Sequence, residues 1–323
     1  MVFAGGDWHT SESEWQTVNP IYDTTGNFTG SEIWHLDALN DRWTRLRPFC
    51  VPGAAQPGRP DTVTWAYDAN RNQAYMAPGF YGITQGESSG CGAIEGWGGY
   101  TFSFASRQFQ GPDAAAGLVP PPGGWGGDQG ASFGTFDPVN DELIRVKNGG
   151  LLQRLRIATG TWRTQQLGLT PTWNPVSNRA QSVIDVQGRA LYFLDAWGDA
   201  GGTCCGGTFP PRGPALIKVD LNTGATTAIL LPASYAQPPD QSQEVYLVFD
   251  PVNRLVFVPN NTGMGNGPLA GLGIFHVDTG QWEWEAVPGA AYGSVWGFDE
   301  NLGAMIGIGQ RIWGTHYYLY KYK

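Results

Sequence analysis

A unit of two short apolar runs joined by an Asp-headed turn recurs along the chain, and this repeat limits the fold more than any other feature. It first appears as Val63-Thr64-Trp65-Ala66-Tyr67-Asp68 leading to Gln73-Ala74-Tyr75-Met76. It returns as Phe133-Gly134-Thr135-Phe136-Asp137-Pro138-Val139-Asn140 leading to Glu142-Leu143-Ile144-Arg145-Val146. Val183-Ile184-Asp185, Val248-Phe249-Asp250-Pro251-Val252-Asn253 and Trp296-Gly297-Phe298-Asp299 are further copies. Asp at the head of such a turn caps its own backbone, and Pro presets the next φ. A second run-turn-run unit follows each copy, as in Leu155-Arg156-Ile157-Ala158-Thr159-Gly160 to Trp162 and Ile274-Phe275-His276-Val277-Asp278-Thr279-Gly280 to Trp282. The anchor aspartates Asp68 to Asp299 are spaced by about 58 residues.

Two consecutive hairpins at this period make a four-stranded propeller blade. The reading is therefore all-β: a six-bladed β-propeller of four-stranded antiparallel blades in a single domain, 1–323. Blade bounds fall near 1–48, 61–112, 128–168, 179–233, 243–288 and 292–323. The chain opens on a second strand (Val2-Phe3-Ala4) and ends on a third (His316-Tyr317-Tyr318-Leu319-Tyr320), so the first and last blades are incomplete. The expectation is that a missing N-terminal segment, or another chain, closes the ring. Composition agrees with a turn-rich globular fold. Gly is frequent, 47 of 323 residues, yet 13% of residues are aromatic, and a disordered chain would lack that apolar area.

Gly5-Gly6 and Gly149-Gly150 follow second strands, and a Trp stands two residues after several Thr-Gly or Asn-Asp turns (Trp43, Trp162, Trp282). In these motifs the chain resembles kelch-type β-propellers, including the propeller domain of the galactose-oxidase superfamily. The repeats are degenerate: diglycine is missing after Met76, Leu194, Val258 and Ile308, and Thr226-Thr227 takes the place of a Trp. The resemblance implies a fold and carries no catalytic residue across.

Strand direction alternates within a blade, so the short turns lie at one end of the ring and the long connections at the other. The long connections include residues 5–31, 77–100, 110–130, 195–214 and 259–273. Long loops on a rigid scaffold are where binding residues usually reside. The candidate ligand-binding aromatics there are Trp8, Tyr81, Trp97, Trp125 and Trp197, with Trp15, Tyr22, Phe80 and Trp173 beside them. Such rings stack on the C–H faces of sugars, while Gly, Ser, Thr and Asn neighbours bond hydroxyls; filling loop cores is their alternative role. The starts of the inner strands should ring the central mouth with Asp61, Gln129, Arg179, Gln243, Glu244 and Tyr292. Convergent polar groups at a mouth are a binding-site signal, although hydrating a channel would use the same residues.

Other chemistries find less support. Asp61 with Glu244 is the one acid/base pair worth naming, because glycosidases need two carboxylates about 5–10 Å apart. The repeated aspartates are turn residues, not catalysts. The four histidines do not cluster, and no metal or other cofactor is expected. A net charge of −9, with no basic run, argues against nucleic acid. No apolar run approaches the roughly 20 residues of a membrane span. Cys50, Cys91, Cys204 and Cys205 all fall in loops, which suits disulfides, with Cys204-Cys205 a candidate vicinal pair; reduced thiols are the alternative. Asn27-Phe28-Thr29 and Asn260-Asn261-Thr262 match glycosylation sequons.

These observations point to a non-enzymatic recognition module that binds a glycan or a protein surface through the long-loop end. The expected setting is extracellular, at a cell surface or on a virion, without a visible signal peptide. The alternatives are a carbohydrate-active enzyme with carboxylates at the mouth, and a structural subunit of a larger assembly.

Overall fold

The computed structural model describes residues 2–4, 33–47, 59–60, 64–77, 83–84, 98–125, 133–147, 150–167, 182–195, 203–204, 207–208, 215–232, 247–261, 269–286, 295–311 and 314–323. Where two or more alternating runs are joined by tight turns, each run pairs with the next, and the result is a series of antiparallel meanders. β1 (Val2–Ala4), β2 (Ile33–Asp37) and β3 (Arg42–Arg47) form a three-stranded sheet. A two-residue pair, β4 (Arg59–Pro60) with β7 (Ile83–Thr84), flanks the second sheet, which comprises β5 (Thr64–Asp68), β6 (Gln73–Ala77), β8 (Tyr100–Ser103) and β9 (Gln108–Gln110). The third sheet is β10 (Phe133–Asp137), β11 (Glu142–Lys147), β12 (Leu151–Arg156) and β13 (Thr161–Gln166). The fourth is β14 (Val183–Asp185), β15 (Ala190–Asp195), β18 (Ala215–Asp220) and β19 (Thr226–Leu230), with the small pair β16 (Thr203–Cys204) and β17 (Gly207–Thr208) in its long connection. The fifth is β20 (Val248–Asp250), β21 (Leu255–Asn261), β22 (Leu269–His276) and β23 (Gln281–Glu285), and the sixth is β24 (Val295–Asp299), β25 (Ala304–Arg311) and β26 (Gly314–Tyr320).

The protein is an all-β propeller of four-stranded antiparallel blades. The expected six blades are corrected to five. Five sheets are built outward from an inner strand (β5, β10, β14, β20, β24), and these strands stand beside one another around the ring. The sheet β1–β3 has none: β1 pairs only with β2, and no described segment adds to its other side.

Cores form between the sheets, because each sheet buries both faces against its neighbours. β15 shows this best: Leu191, Tyr192, Phe193 and Leu194 are all fully buried, so successive side chains fill opposite interfaces. Outer strands have one partner strand fewer to cover them, and β13 and β19 accordingly alternate between partly buried and exposed positions. One cluster joins sheets two and three through Tyr75, Phe136, Leu143 and Leu155, and another joins five and six through Phe257, Ile274 and Met305.

The repeated aspartates do what their turn position implies. Asp68 accepts the Asn70 and Arg71 amides, Asp137 that of Val139, Asp185 that of Gly188, Asp250 those of Val252 and Asn253, and Asp299 those of Asn301 and Leu302. Four residues past each aspartate the backbone turns left-handed, at Asn72, Asp141, Arg189, Arg254 and Gly303, with φ between 47° and 57° if the matching Asp41 turn is included. Only one of these is glycine, although the conformation favours it. Three of the others hold adjacent blades together: Asp141 accepts both terminal nitrogens of Arg71, Arg189 clamps Asp137 through bonds of 2.7 and 2.6 Å, and Arg254 clamps Asp185 through two of 2.9 Å.

Candidate functional site

The meander sorts the connections. All inner and outer hairpin turns, such as 138–141, 157–160 and 251–254, are short and share one end of the ring. From the other end leave the links β1–β2, β6–β8, β9–β10, β13–β14, β15–β18 and β19–β20, each spanning more than a dozen residues. Asp61, Gln129, Arg179, Gln243, Glu244 and Tyr292 stand in sequence three to five residues ahead of the inner strands β5, β10, β14, β20 and β24, and lie outside the described residues. Trp8, Tyr81, Trp97 and Trp197, with Cys50, Cys91 and Cys205, lie outside them as well. Cys204 ends β16, where it pairs with Gly207 across the small hairpin.

Trp125 is the one candidate aromatic within the described part, and its place corrects the expectation of an exposed ring: it is buried. The segment from Gly111 to Trp125 folds back between sheets two and three. Asp113 organises it by accepting hydrogen bonds from the Gly99 amide (2.8 Å) and from the Trp125 indole. Trp162 meets Trp125 edge-on, with ring centroids 5.9 Å apart, and donates to the Val119 carbonyl at 2.8 Å. Gly99 is required here, since a Cβ would stand 2.7 Å from Leu118 Cδ1 and 2.9 Å from the Trp125 ring.

Against the indole lies Arg145, its guanidinium carbon 5.6 Å from the ring centroid. Arg145 is only 3% exposed, and its Nε and Nη1 have no hydrogen-bond partner among the described residues. Gln153 sits directly opposite it on β12, also buried, with an unpartnered Oε1. Burial pushes the Arg145 guanidinium down to about 10, so it remains a cation at neutral pH. Among the described residues no carboxylate stands beside it, and a buried cation without one is costly. A guanidinium, an amide oxygen and an aromatic face thus meet within the buried interior on the long-connection half of sheet three.

Sequence reasoning did not single out Arg145 or Gln153. The available signal was one Arg within Glu142-Leu143-Ile144-Arg145-Val146, a strand whose neighbours on both faces are apolar. Asp68, Asp137 and Asp185 are fully engaged by turn amides and arginines, in line with their reading as turn residues. No group of three or more His, Cys, Asp or Glu suited to hold a metal is found among the described residues, and no described helix is long and apolar enough to cross a membrane.

No protein-family model matches the chain, and neither does any curated protein sequence. Solved structures do. A nidogen/laminin complex contains a chain similar to this one at a TM-score of 0.50 and 10% identity, over 91% of this chain and 90% of that one. TolB from Acinetobacter baumannii is similar at a TM-score of 0.45 and 12% identity, over 81% of this chain and only 50% of the TolB chain. At these identities the likeness to the nidogen/laminin structure shows the β-propeller fold.

Proposed function

We propose that the protein is a non-enzymatic recognition module that engages a protein surface or a glycan through the end of the propeller where its long connections gather. The observation that carries this reading is the sorting of connections: the turns of the inner and outer hairpins lie at one end, and the six links of more than a dozen residues, rich in aromatics, attach at the other. Function on propellers and other rigid scaffolds resides in such loops. The similar chain in the nidogen/laminin complex belongs to a protein–protein assembly, which favours a protein surface as one class of partner.

The ligand-binding set is Asp61, Gln129, Arg179, Gln243, Glu244 and Tyr292 at the mouth, with Trp8, Tyr81, Trp97 and Trp197 around it. The repeats are of the kelch type in this reading, and the setting is extracellular, cell-surface or virion. Glycan-array and cell-surface binding by the whole chain, with Trp97→Ala and Asp61→Ala variants, tests it. Binding lost in Trp97→Ala and kept in Asp61→Ala is expected. Turnover of a bound glycan would instead favour the carbohydrate-active enzyme, and absence of binding to any glycan or cell surface would sink the recognition reading.

A further inference from the structure

At the opposite, short-turn end, sheets three and four enclose a cleft of about 410 Å³ lined by Asn140, Arg154, Arg156, Arg163, Gln165 and Asn222 among others. That size suits a small organic ligand rather than a bare ion. Three of the chain's fifteen arginines converge there, although the protein as a whole carries a net charge of −9. Strand register brings them together: Arg154 and Arg156 alternate onto one face of β12, and Arg163 stands directly opposite Arg154 on β13. Like charges placed opposite one another are unfavourable in a sheet.

Glu142 is the carboxylate in direct contact with the group, while Asp137 and Asp141 act on Arg154 and Arg156 from farther off. Glu142 is fully buried; its Oε1 takes Arg163 in a short contact and Arg156 at 3.6 Å, while its Oε2 has no partner. A single oxygen shared by two guanidiniums leaves most of their ten N–H donors for something else. The side chains of Arg156 and Arg163 are 48% and 57% exposed, so those donors are reachable. Asp220, on the neighbouring turn, is taken up by the Asn222 and Thr223 amides at 2.8 Å each. The walls are also held in place. Arg154 donates to the Leu221 carbonyl at 2.6 Å and Gln165 to that of Thr223 at 3.1 Å, which pins one blade to the next across the cleft.

We propose that this cleft binds a small molecule carrying an esterified tetrahedral oxyanion, a sulfate or phosphate monoester. Arg163 and Arg156 offer their planar forks to the anion, and the rest of the cleft receives the group that bears it. Glu142 acts as a positioning residue that holds the two guanidiniums apart at a fixed separation. This site is distant from the long-connection end and stands or falls independently of the recognition reading.

Calorimetric titration of the whole chain with glucose 6-phosphate, glucose 6-sulfate, inorganic sulfate and glucose tests the proposal. Both esters should saturate with a Kd of about 1 mM or tighter, inorganic sulfate should bind more weakly, and glucose should give no heat. Arg156→Gln and Arg163→Ala should each weaken ester binding about tenfold, equivalent to about 1.4 kcal/mol. Arg163→Lys keeps a charge beside Glu142, so it guards against misfolding, yet it lacks the fork and should lose most of the affinity. Arg42→Ala, an exposed arginine on sheet one, should bind as the parent does. Absence of saturable ester binding at about 10 mM, or an equal loss in Arg42→Ala, would overturn the site. Inorganic sulfate binding as tightly as the esters would overturn the ester assignment in favour of the free ion.

Discussion

Arg189 performs two incompatible tasks, and separating them tests how the blades are joined. Its guanidinium makes two bonds to Asp137, whose side chain is fully buried, while its own is 16% exposed. Its backbone sits at φ 50°, where a residue with a Cβ is strained by about 1 kcal/mol relative to glycine. Removing one member of a buried pair costs about 3–5 kcal/mol when the other is left bare. Asp137 would keep the Val139 amide and the Asn140 side-chain amide, at 3.0 and 3.1 Å, so we expect Arg189→Ala to lose about 2–3 kcal/mol. Arg189→Gly removes the same guanidinium and relieves the strain, so it should be less harmful than Arg189→Ala by about 1 kcal/mol.

The pH dependence follows from Asp137. Burial raises its pKa, but the Arg189 bonds together with the Val139 and Asn140 amides outweigh that and hold it below the ordinary value. A carboxylate with a lowered folded pKa contributes stability that is present above its unfolded pKa and lost as pH falls through the folded value. The gap between the parent and either variant should therefore be full at neutral pH and narrow below about pH 4. Urea unfolding followed by tryptophan fluorescence at pH 7 and at pH 3 measures both effects. A parent and Arg189→Ala of equal stability would refute the inter-blade clamp, and a glycine variant worse than the alanine one would refute the strain argument.

Arg145→Met should raise the stability of the free protein by about 1–2 kcal/mol. A guanidinium that burial lowers to about 10 costs the fold about 3 kcal/mol while charged, and loss of the contact with Trp125 offsets about 1 of the gain. Because the folded pKa is the lower one, the parent should gain stability as pH rises beyond about 10, and the Met variant should lack that rise. A thermal unfolding midpoint below the parent's would contradict the account of an uncompensated charge. Arg107, exposed and at φ 57° in an outer turn, makes a simpler case: Arg107→Gly should stabilise by about 1 kcal/mol, and a loss in urea midpoint would count against it.

Much of the architecture is local and was therefore readable. A hairpin needs an alternating run, a turn with a capping Asp, and a second run, all within about 15 residues, and each of these is written in the order of the residues. Two hairpins in series dictate a four-stranded meander, and strand alternation then dictates which connections share an end. The readings that needed correction depend on other parts of the chain. Trp125 looked like a surface ring in a Gly-rich loop, yet Asp113, a dozen residues before it, draws its indole inward. The number of inner strands was also beyond local pattern, because β1 matches any second strand until one asks what pairs on its other side.

The candidate sites show the same division. Arg154, Arg156 and Arg163 belong to a single hairpin and carry no sequence motif, and only the packing of sheet four against sheet three makes them one wall of a cleft. Arg189 and Asp137 are 52 residues apart and each occupies an ordinary turn position in its own blade. Periodicity acts between neighbours in the chain, so the sequence by itself determined the strands, the turns and the sorted connections. Which charges meet across a blade interface depends on how rigid sheets pack, and that is settled by the tertiary structure, where buried side chains from distant repeats must share one interior.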